Sequence, residues 1–326
     1  MAKLERKMQQ YSLVLTSNRK KGWELFWTRF KKNWQLHVMM ILPVVWIIMF
    51  HYVPMYGIQI AFREYSNYYG MWGSEYVGFL KLAKFFGNYK WSSYVINTLS
   101  ISLYSLIAGF PTPIILALII HVNDRKILKK VTQNISYIPH FISTVVMVGI
   151  LVRIFDQYTG MIASFNRLLG ITDRPNLMAN VDAFRHIYVW SGIWQGMGWS
   201  TILYIASLSA VSEELHEAAR IDGANRLKRV WHVDIPAILP VISIQLILRF
   251  GHIMSVGYEK VYLMQNSVNL PVSEIISTHV YKSGIQNGDL SYGAAVGLMN
   301  TFINTTLVVL VNWITTKLTD GEGGLF

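Results

Sequence analysis

The chain has 326 residues, 52% of them hydrophobic, with 29 Lys and Arg against 18 Asp and Glu and no Cys. Charged residues make up only 14%, where a soluble domain carries roughly 25%, and they gather between long uncharged runs. This excludes a disordered chain, a collagen-like repeat and a disulfide-stapled scaffold, and the missing Cys excludes thiolate catalysis and thiolate metal sites; a membrane protein remains.

Residues 1–35 read as a cytoplasmic tail. Trp23, Phe26, Trp27, Phe30 and Trp34 interleave with Lys and Arg there. That pattern suits an amphipathic helix on the anionic inner membrane surface, and equally a partly disordered tail. So many polar residues before the first apolar run do not fit the short basic region of a cleavable signal peptide.

A bilayer core of about 30 Å takes about 20 apolar residues of helix. Five long intervals lack Asp, Glu, Lys and Arg: Asn33 to Phe62, Trp91 to Asn123, Val131 to Val152, His186 to Ser212 and Leu290 to Thr316. A sixth apolar stretch, Pro236 to Val256, is interrupted by Arg249. The predicted fold class is an all-α membrane protein whose domain over residues 36–317 holds six transmembrane helices, at about 36–60, 92–121, 132–155, 186–210, 236–256 and 293–317, before a cytoplasmic tail at 318–326.

With both termini inside, the inner segments hold 18 Lys and Arg and the outer loops nine. Nine of the inner ones precede the first span, four follow the second, four follow the fourth and one lies at the C-terminal end. The bias sets this orientation and accounts for the net charge of +11 without a nucleic-acid partner.

Polar residues inside spans face protein or water rather than lipid. On the second span Ser93, Asn97, Ser100 and Tyr104 share a face, and Pro111 and Pro113 should bend the helix. On the fourth, Ser191, Gln195 and Trp199 make a stripe, and Gly192 and Gly196 have the spacing of a close helix contact. Gln245, Arg249 and His252 align on the fifth, and Asn300 and Asn304 on the sixth. Two readings stand for each position: a hydrogen bond between helices, or the lining of a polar pathway. Collectively such a lining suits sugars, whose hydroxyls take hydrogen bonds and whose ring faces stack on aromatics. The expected pathway residues are Gln245, Arg249, Asn300, Tyr104, Asn97 and Asn304. Arg249 also admits a carboxylated sugar, or a carboxylate on a partner chain.

Catalytic patterns are missing. There is no G-x-x-x-x-G-K-[ST] phosphate loop and no H-E-x-x-H, and the nine His are scattered, none at paired-ligand spacing. No Ser stands in a nucleophile elbow. Neither a catalytic residue nor a metal site is expected.

Between spans four and five, residues 212–235 form a cytoplasmic segment. Glu213 and Glu214 sit where a helix N-terminus favours anions, and the run to Ile221 holds good helix formers. Gly223 permits a sharp turn, a second short helix follows from Asn225, and Asp234 and Pro236 mark the start of the next helix. From the residues alone this is a helix, a bend and a helix, open to the reading of an ordinary amphipathic linker.

Glu217-Ala218-Ala219, Asp222-Gly223-Ala224 and Val233-x-Ile235-Pro236 resemble the EAA motif of ABC importer permeases. Val and Ile replace the commoner Ile and Leu of that motif, and Trp231 stands where Phe is usual, both keeping an apolar contact. The stretches Pro54 to Arg63, Tyr258 to Asn266, Val272 to Thr278 and Ser291 to Asn300 are similar to LplB-type carbohydrate permeases, a MalF-like half of a sugar-importer pair. No large extracytoplasmic insertion is present.

The resemblance implies a type I ABC importer permease fold whose short cytoplasmic coupling helix docks on an ATPase. Glu217 would engage that ATPase, Ala218 and Ala219 would permit close packing, and Gly223, flanked by Asp222 and Ala224, would set the bend. It further implies a second MalG-like permease in a heterodimer, two cytoplasmic ABC ATPase subunits and an extracytoplasmic sugar-binding lipoprotein. ATP and Mg2+ would be held by the ATPases, with no cofactor in this chain. The expected function is oligosaccharide import across a bacterial cell membrane by alternating access, in a multi-pass chain that is not itself an enzyme and contacts membrane lipid. The alternatives are an ABC permease for a non-sugar solute, or a secondary transporter, which leaves the Gly-bend motif unexplained.

Overall fold

A computed structural model describes residues 27, 30–171 and 176–318. The expectations for the tails before residue 27 and beyond residue 318 lie outside these residues. The chain divides into two compact units, Met1–Gln59 and Ile60–Phe326.

In the first unit, helix α1 (Trp34–Ile47) continues through a π-helical turn, Ile48–Tyr52, into Val53–Met55. Its apolar residues run all round the axis, as in a helix meant for lipid rather than for one packed face. The wide turn falls just before Pro54, whose missing N–H and bulky ring disturb the regular ladder.

The second unit opens with a small antiparallel pair, β1 (Arg63–Glu64) and β2 (Glu75–Tyr76), with Arg63 opposite Tyr76 and Glu64 opposite Glu75. Helix α2 (Leu80–Phe86) follows. Lys81 of α2 is buried, with Nζ 2.6 Å from Glu64 Oε1 and 3.1 Å from Asp289 Oδ1, and Lys84 Nζ lies 2.9 Å from Asp289 Oδ2. Burial alone would lower the Lys81 pKa, but the hydrogen bonds to Glu64 and Asp289 outweigh it and hold the ammonium above the usual lysine value. Burial raises the Asp289 pKa, while Lys84 and Lys81 pull it down further, so the net shift is downward. A depressed carboxylate stabilises the fold above its ordinary pKa and loses that contribution as pH falls through the folded value. Asp289→Asn is therefore expected to destabilise the protein by about 1–3 kcal/mol at pH 7, because it leaves a buried ammonium short of one partner. Thermal unfolding followed against pH checks this, the gap between variant and wild type closing below about pH 4.

Helices α3 (Trp91–Gly109) and α4 (Pro111–Val122) form one apolar run, broken only at Phe110 ahead of the two prolines. Next come α5 (Lys126–Tyr137), a 3-10 turn (Ile138–Phe141) and α6 (Thr144–Ile154). The sequence predicts one span at 132–155; instead the two arms meet at 100°. Pro139 cannot donate to the ladder, Ile142 is extended, and Ser143 Oγ caps α6 by accepting from Val146 N at 3.4 Å.

After α7 (Met161–Leu168), α8 (Val181–Ser209) is 29 residues long. Asn180 caps it, its Oδ1 accepting from Asp182 N at 2.7 Å and Ala183 N at 3.0 Å. Helix α9 (Glu213–Ile221) leads to α10 (Arg226–Arg229), which runs through a π-helical turn (Val230–Asp234) directly into α11 (Ile235–Phe250). The second short helix is thus continuous with the span, not separate from it. The π turn absorbs the donor missing at Pro236, so no break is needed. Short helices α12 (Tyr258–Met264), α13 (Leu270–Ser273) and α14 (Ile276–Val280) precede the closing helix α15 (Leu290–Leu318).

Among the described residues, four helices are long and apolar enough to cross a bilayer: Trp34–Phe62, Trp91–Val122, Arg226–Phe250 and Leu290–Lys317. The bent α5–α6 pair brings the number to five at most. Helix α8 has the length, about 44 Å at 1.5 Å per residue, but its polar stripe dilutes its apolarity.

Three apolar clusters hold the second unit together. One joins α3, α6, α8 and α12 through Ile101, Met147, Phe184 and Val261; another joins α2, α3 and α15 through Phe85, Tyr94 and Val296. The last joins α4, α8 and α11 through Ala117, Leu208 and Ile238. Among the glycines of α8 the tightest approach is at Gly198, where an added Cβ would fall 2.0 Å from the Ser136 carbonyl oxygen of α5. The sequence places that approach at Gly192 and Gly196, yet a Cβ on Gly196 would meet nothing within 4 Å. Spacing marks small residues but not the face that a neighbour occupies.

Candidate functional site: a cationic cavity and a glycine turn

Between α3, α8, α11 and the start of α12 lies a cavity of about 350 Å³, its wall including Ser102, Ser105, Tyr188, Gln195, Arg249 and Lys260. A second, of about 220 Å³, is bounded by Trp199, Tyr204, Gln245 and again Arg249. Arg249 reaches both because it sits on the polar face of α11, four residues after Gln245.

Neither cation of the larger cavity has a carboxylate within ion-pair reach among the described residues. Lys260 Nζ donates to the Tyr188 carbonyl oxygen at 3.0 Å and lies 4.8 Å from the centre of the Tyr188 ring. Burial lowers its pKa to about 8. Gly192 makes room for it: a Cβ there would come within 3.3 Å of Nζ. A cavity walled by two cations without counter-ions, with hydroxyls and a Gln amide beside them, is built to attract an anion and hydrogen-bond its neighbours.

The predicted pathway residues separate into two groups. Gln245 and Arg249 line the cavities. Asn97 is buried, its Nδ2 donating to Pro271 O and Glu274 O at 2.9 and 3.0 Å and its Oδ1 accepting from Arg185 at 3.0 Å. Asn304 Oδ1 accepts from Met254 N at 3.1 Å, and Nδ2 donates to Ser255 Oγ at 2.7 Å. Both make the inter-element hydrogen bonds that were the competing reading of such positions. The Tyr104 hydroxyl meets His186 Nδ1 at 2.8 Å, accepts from Trp190 Nε1 at 2.9 Å and lies outside both cavity walls. Asn300 is also outside them, with its Oδ1 buried and unbonded.

Sequence reasoning missed Lys260 and Tyr188. Lys260 lies among the outer-loop cations of the sequence, and its half-buried position depends on α12 folding back against α8. The aromatic at position 188 carried no polar spacing to distinguish it.

On α9, Ser212 caps the first turn, its Oγ accepting from Glu214 N at 3.3 Å. At the other end Gly223 has φ +76°, Ala224 N donates to Ala219 O at 2.8 Å and Gly223 N to Arg220 O at 3.0 Å. These are the paired bonds of a Schellman turn, which asks for a residue in the left-handed region after the helix. Asn225 then caps α10, its Oδ1 accepting from Lys228 N at 2.9 Å. Asp222 ends α9, Ala224 begins the return, and Glu217 and Ala218 are exposed while Ala219 is half-buried. Glu217 has no ion pair among the described residues. Leu215, Ile221, Leu227 and Trp231 are also exposed, so the segment offers apolar surface beside a free carboxylate.

Residues 109–320 match the model of the family described as binding-protein-dependent transport system inner membrane component. Protein LplB of Bacillus subtilis (strain 168) is 38% identical over 95% of this chain and 96% of its own length. The polygalacturonan/rhamnogalacturonan transport system permease protein YteP of the same organism is 38% identical over 88% of this chain and 89% of its own. Among solved structures, a chain of a bacterial alginate ABC transporter in complex with an alginate pentasaccharide-bound periplasmic protein superimposes with a TM-score of 0.82. It is 31% identical, and the match covers 92% of this chain and 99% of that one.

Proposed function

The chain belongs to the family of binding-protein-dependent transport system inner membrane components, and on that premise we propose that it is the permease subunit of an ABC importer for acidic oligosaccharides. The observation that carries the acidic class is the pair Arg249 and Lys260 on one cavity wall without a carboxylate between them. A uronate carboxylate would take the guanidinium or the ammonium, and the sugar hydroxyls would take Ser102, Ser105 and Gln195. The relatives support this direction, since one is named for polygalacturonan and rhamnogalacturonan transport and a solved neighbour is an alginate transporter.

The rest of the assembly follows the family pattern. This chain pairs with a second permease, two ATPase subunits dock on the cytoplasmic side and bind ATP and Mg2+, and an extracytoplasmic binding protein delivers the sugar. The exposed surface of α9, with Glu217, Ala218 and Ala219 ahead of the Gly223 turn, is the ATPase contact. ATP-driven closure of the ATPase pair moves these segments and swings the spans between inward- and outward-facing states. Six spans, with α8 and the α5–α6 pair each counted as one, put both termini in the cytoplasm, in agreement with the cation bias of the loops.

The test is ATP hydrolysis by the whole complex in lipid nanodiscs, with binding protein and either neutral or uronate-bearing oligosaccharides. Stimulation is expected from an acidic sugar. Arg249→Gln is expected to raise the concentration needed for half-maximal stimulation by about tenfold or more, the scale of one charge-assisted hydrogen bond. Full uptake of an acidic oligosaccharide by that variant, or stimulation by neutral sugars alone, rules out the acidic class.

A further inference from the structure

No spacing in the sequence suggests a metal site, because the residues concerned lie far apart in the chain. The fold brings them together beneath the Gly223 turn. His121 ends α4, His216 lies on the inner face of α9, and Asp234 closes the π turn ahead of α11. His216 Nε2 stands 3.3 Å from Asp234 Oδ1, and His121 Nε2 stands 3.6 Å from the same oxygen. All three atoms lie within 4.8 Å of one another.

Two features separate this cluster from an ordinary buried pair. His216 and Asp234 are only 8% and 1% exposed, yet His216 Nε2 and Asp234 Oδ1 make no hydrogen bond. Buried polar atoms are almost always hydrogen-bonded, so two that face each other at 3.3 Å without hydrogen-bond geometry point to a third group shared by both. In addition, no Lys or Arg nitrogen lies within ion-pair reach of the Asp234 carboxylate among the described residues. The nearby Lys129 donates to the His121 carbonyl oxygen at 2.9 Å. A carboxylate this buried calls for a compensating cation.

The separations fit one. Around a tetrahedral ion with bonds of about 2.0–2.1 Å, ligand atoms stand about 3.3 Å apart. The two contacts to Asp234 sit at and just beyond that value, and are longer than a His–carboxylate hydrogen bond. Two imidazoles and one carboxylate are donors for a borderline ion such as Zn2+ rather than for Mg2+ or Ca2+, which take oxygen shells.

We propose that His121, His216 and Asp234 form a three-ligand site for a divalent transition-metal ion, with the fourth position left to water. The ion ties α9 to the ends of α4 and α11. It thereby clamps the helix carrying Glu217, Ala218 and Ala219 onto two long helices of the second unit. The site does not depend on which solute is carried.

The test uses the whole complex, purified without a polyhistidine tag, stripped with chelator, kept nucleotide-free and titrated with Co2+. The expected result is the visible absorption of tetrahedral cobalt, saturating at one equivalent per copy of this chain and displaced by Zn2+. His216→Gln is expected to abolish that absorption, and His121→Gln to weaken binding at least tenfold. His121→Gln keeps the most buried pair intact, so normal unfolding of its metal-free form excludes misfolding as the cause. Absence of a saturable cobalt signal, or the same signal in the His121→Gln/His216→Gln double variant, overturns the proposal.

Discussion

Gly223→Asp is expected to leave the chain in the membrane at its normal level while reducing oligosaccharide uptake and sugar-stimulated ATP hydrolysis at least tenfold. The reason is backbone conformation, not crowding. A Cβ at Gly223 would meet nothing within 4 Å, but φ there is +76°. A side chain in the left-handed region costs roughly 1–2 kcal/mol, enough to unseat the Ala224–Ala219 and Gly223–Arg220 bonds that close the turn. Loss of the turn re-aims α9 against Asn225 and α10, so Glu217 and the apolar residues around it no longer present one surface. Because the turn is exposed, the fold of the spans is untouched.

The series Gly223→Asn, Gly223→Asp and Gly223→Val should lose coupling in that order, since Asn visits the left-handed region most readily and a β-branched residue least. Membrane abundance, uptake and stimulated ATPase activity, measured on the same preparations, check the ranking. Normal uptake by Gly223→Val would remove the turn from the coupling mechanism.

Gly198→Val is expected to act on the fold itself, cutting membrane abundance several-fold and destabilising the chain by about 3 kcal/mol or more. An added Cβ would lie 2.0 Å from the Ser136 oxygen, 2.4 Å from its carbonyl carbon and 2.9 Å from its Cβ. The obstruction is mostly backbone and cannot rotate away, so α5 and α8 must separate. Separation also strains the Gln195–Ile142 hydrogen bond at 2.8 Å and the stacking of Trp199 on His140, whose ring centres are 4.5 Å apart. Gly196→Ala, on the same helix with open space in front of it, is the control and should be tolerated. Thermal unfolding of the two variants in detergent distinguishes them; equal midpoints would mean the α5–α8 contact yields easily.

Much of the Gly223 turn was readable from its residues. Ser212 before two Glu, a run of helix formers, and Gly223 before Asn225 are cap and turn chemistry, and each acts over four or five residues. The same locality explains the misreading of Asp234 and Pro236 as a fresh helix start. Proline at a first turn and proline after a π turn have nearly the same local sequence, and only the backbone path from Arg226 distinguishes them. The bend within the third apolar stretch was illegible for a related reason: an apolar run from Val131 to Val152 registers length and composition, while the 100° bend comes from Pro139, Ile142 and the Ser143 cap.

The polar positions were harder to read. Helical spacing grouped Gln245, Arg249 and His252; each borders a cavity, although His252 lies just past the end of α11. It could not tell Arg249 from Asn97 or Asn304, because each is a polar residue inside an apolar run. What separates them is whether another element stands within hydrogen-bond distance, and for Asn97 that element is some 175 residues further along the chain.

By itself the sequence determined what local physics controls: a membrane chain from its uncharged runs, an excess of Lys and Arg in alternate loops, and a glycine-centred turn from its caps. Hydropathy, charge and capping act over one helix or one turn, so they survive without knowledge of neighbours. Tertiary structure alone decided which helix face meets a cavity, that Lys260 joins Arg249 there, that Gly198 rather than Gly192 or Gly196 is the close contact, and that His121, His216 and Asp234 converge. Each of these depends on the relative position of segments tens of residues apart, which is set by packing between helices and leaves no periodic trace in the chain.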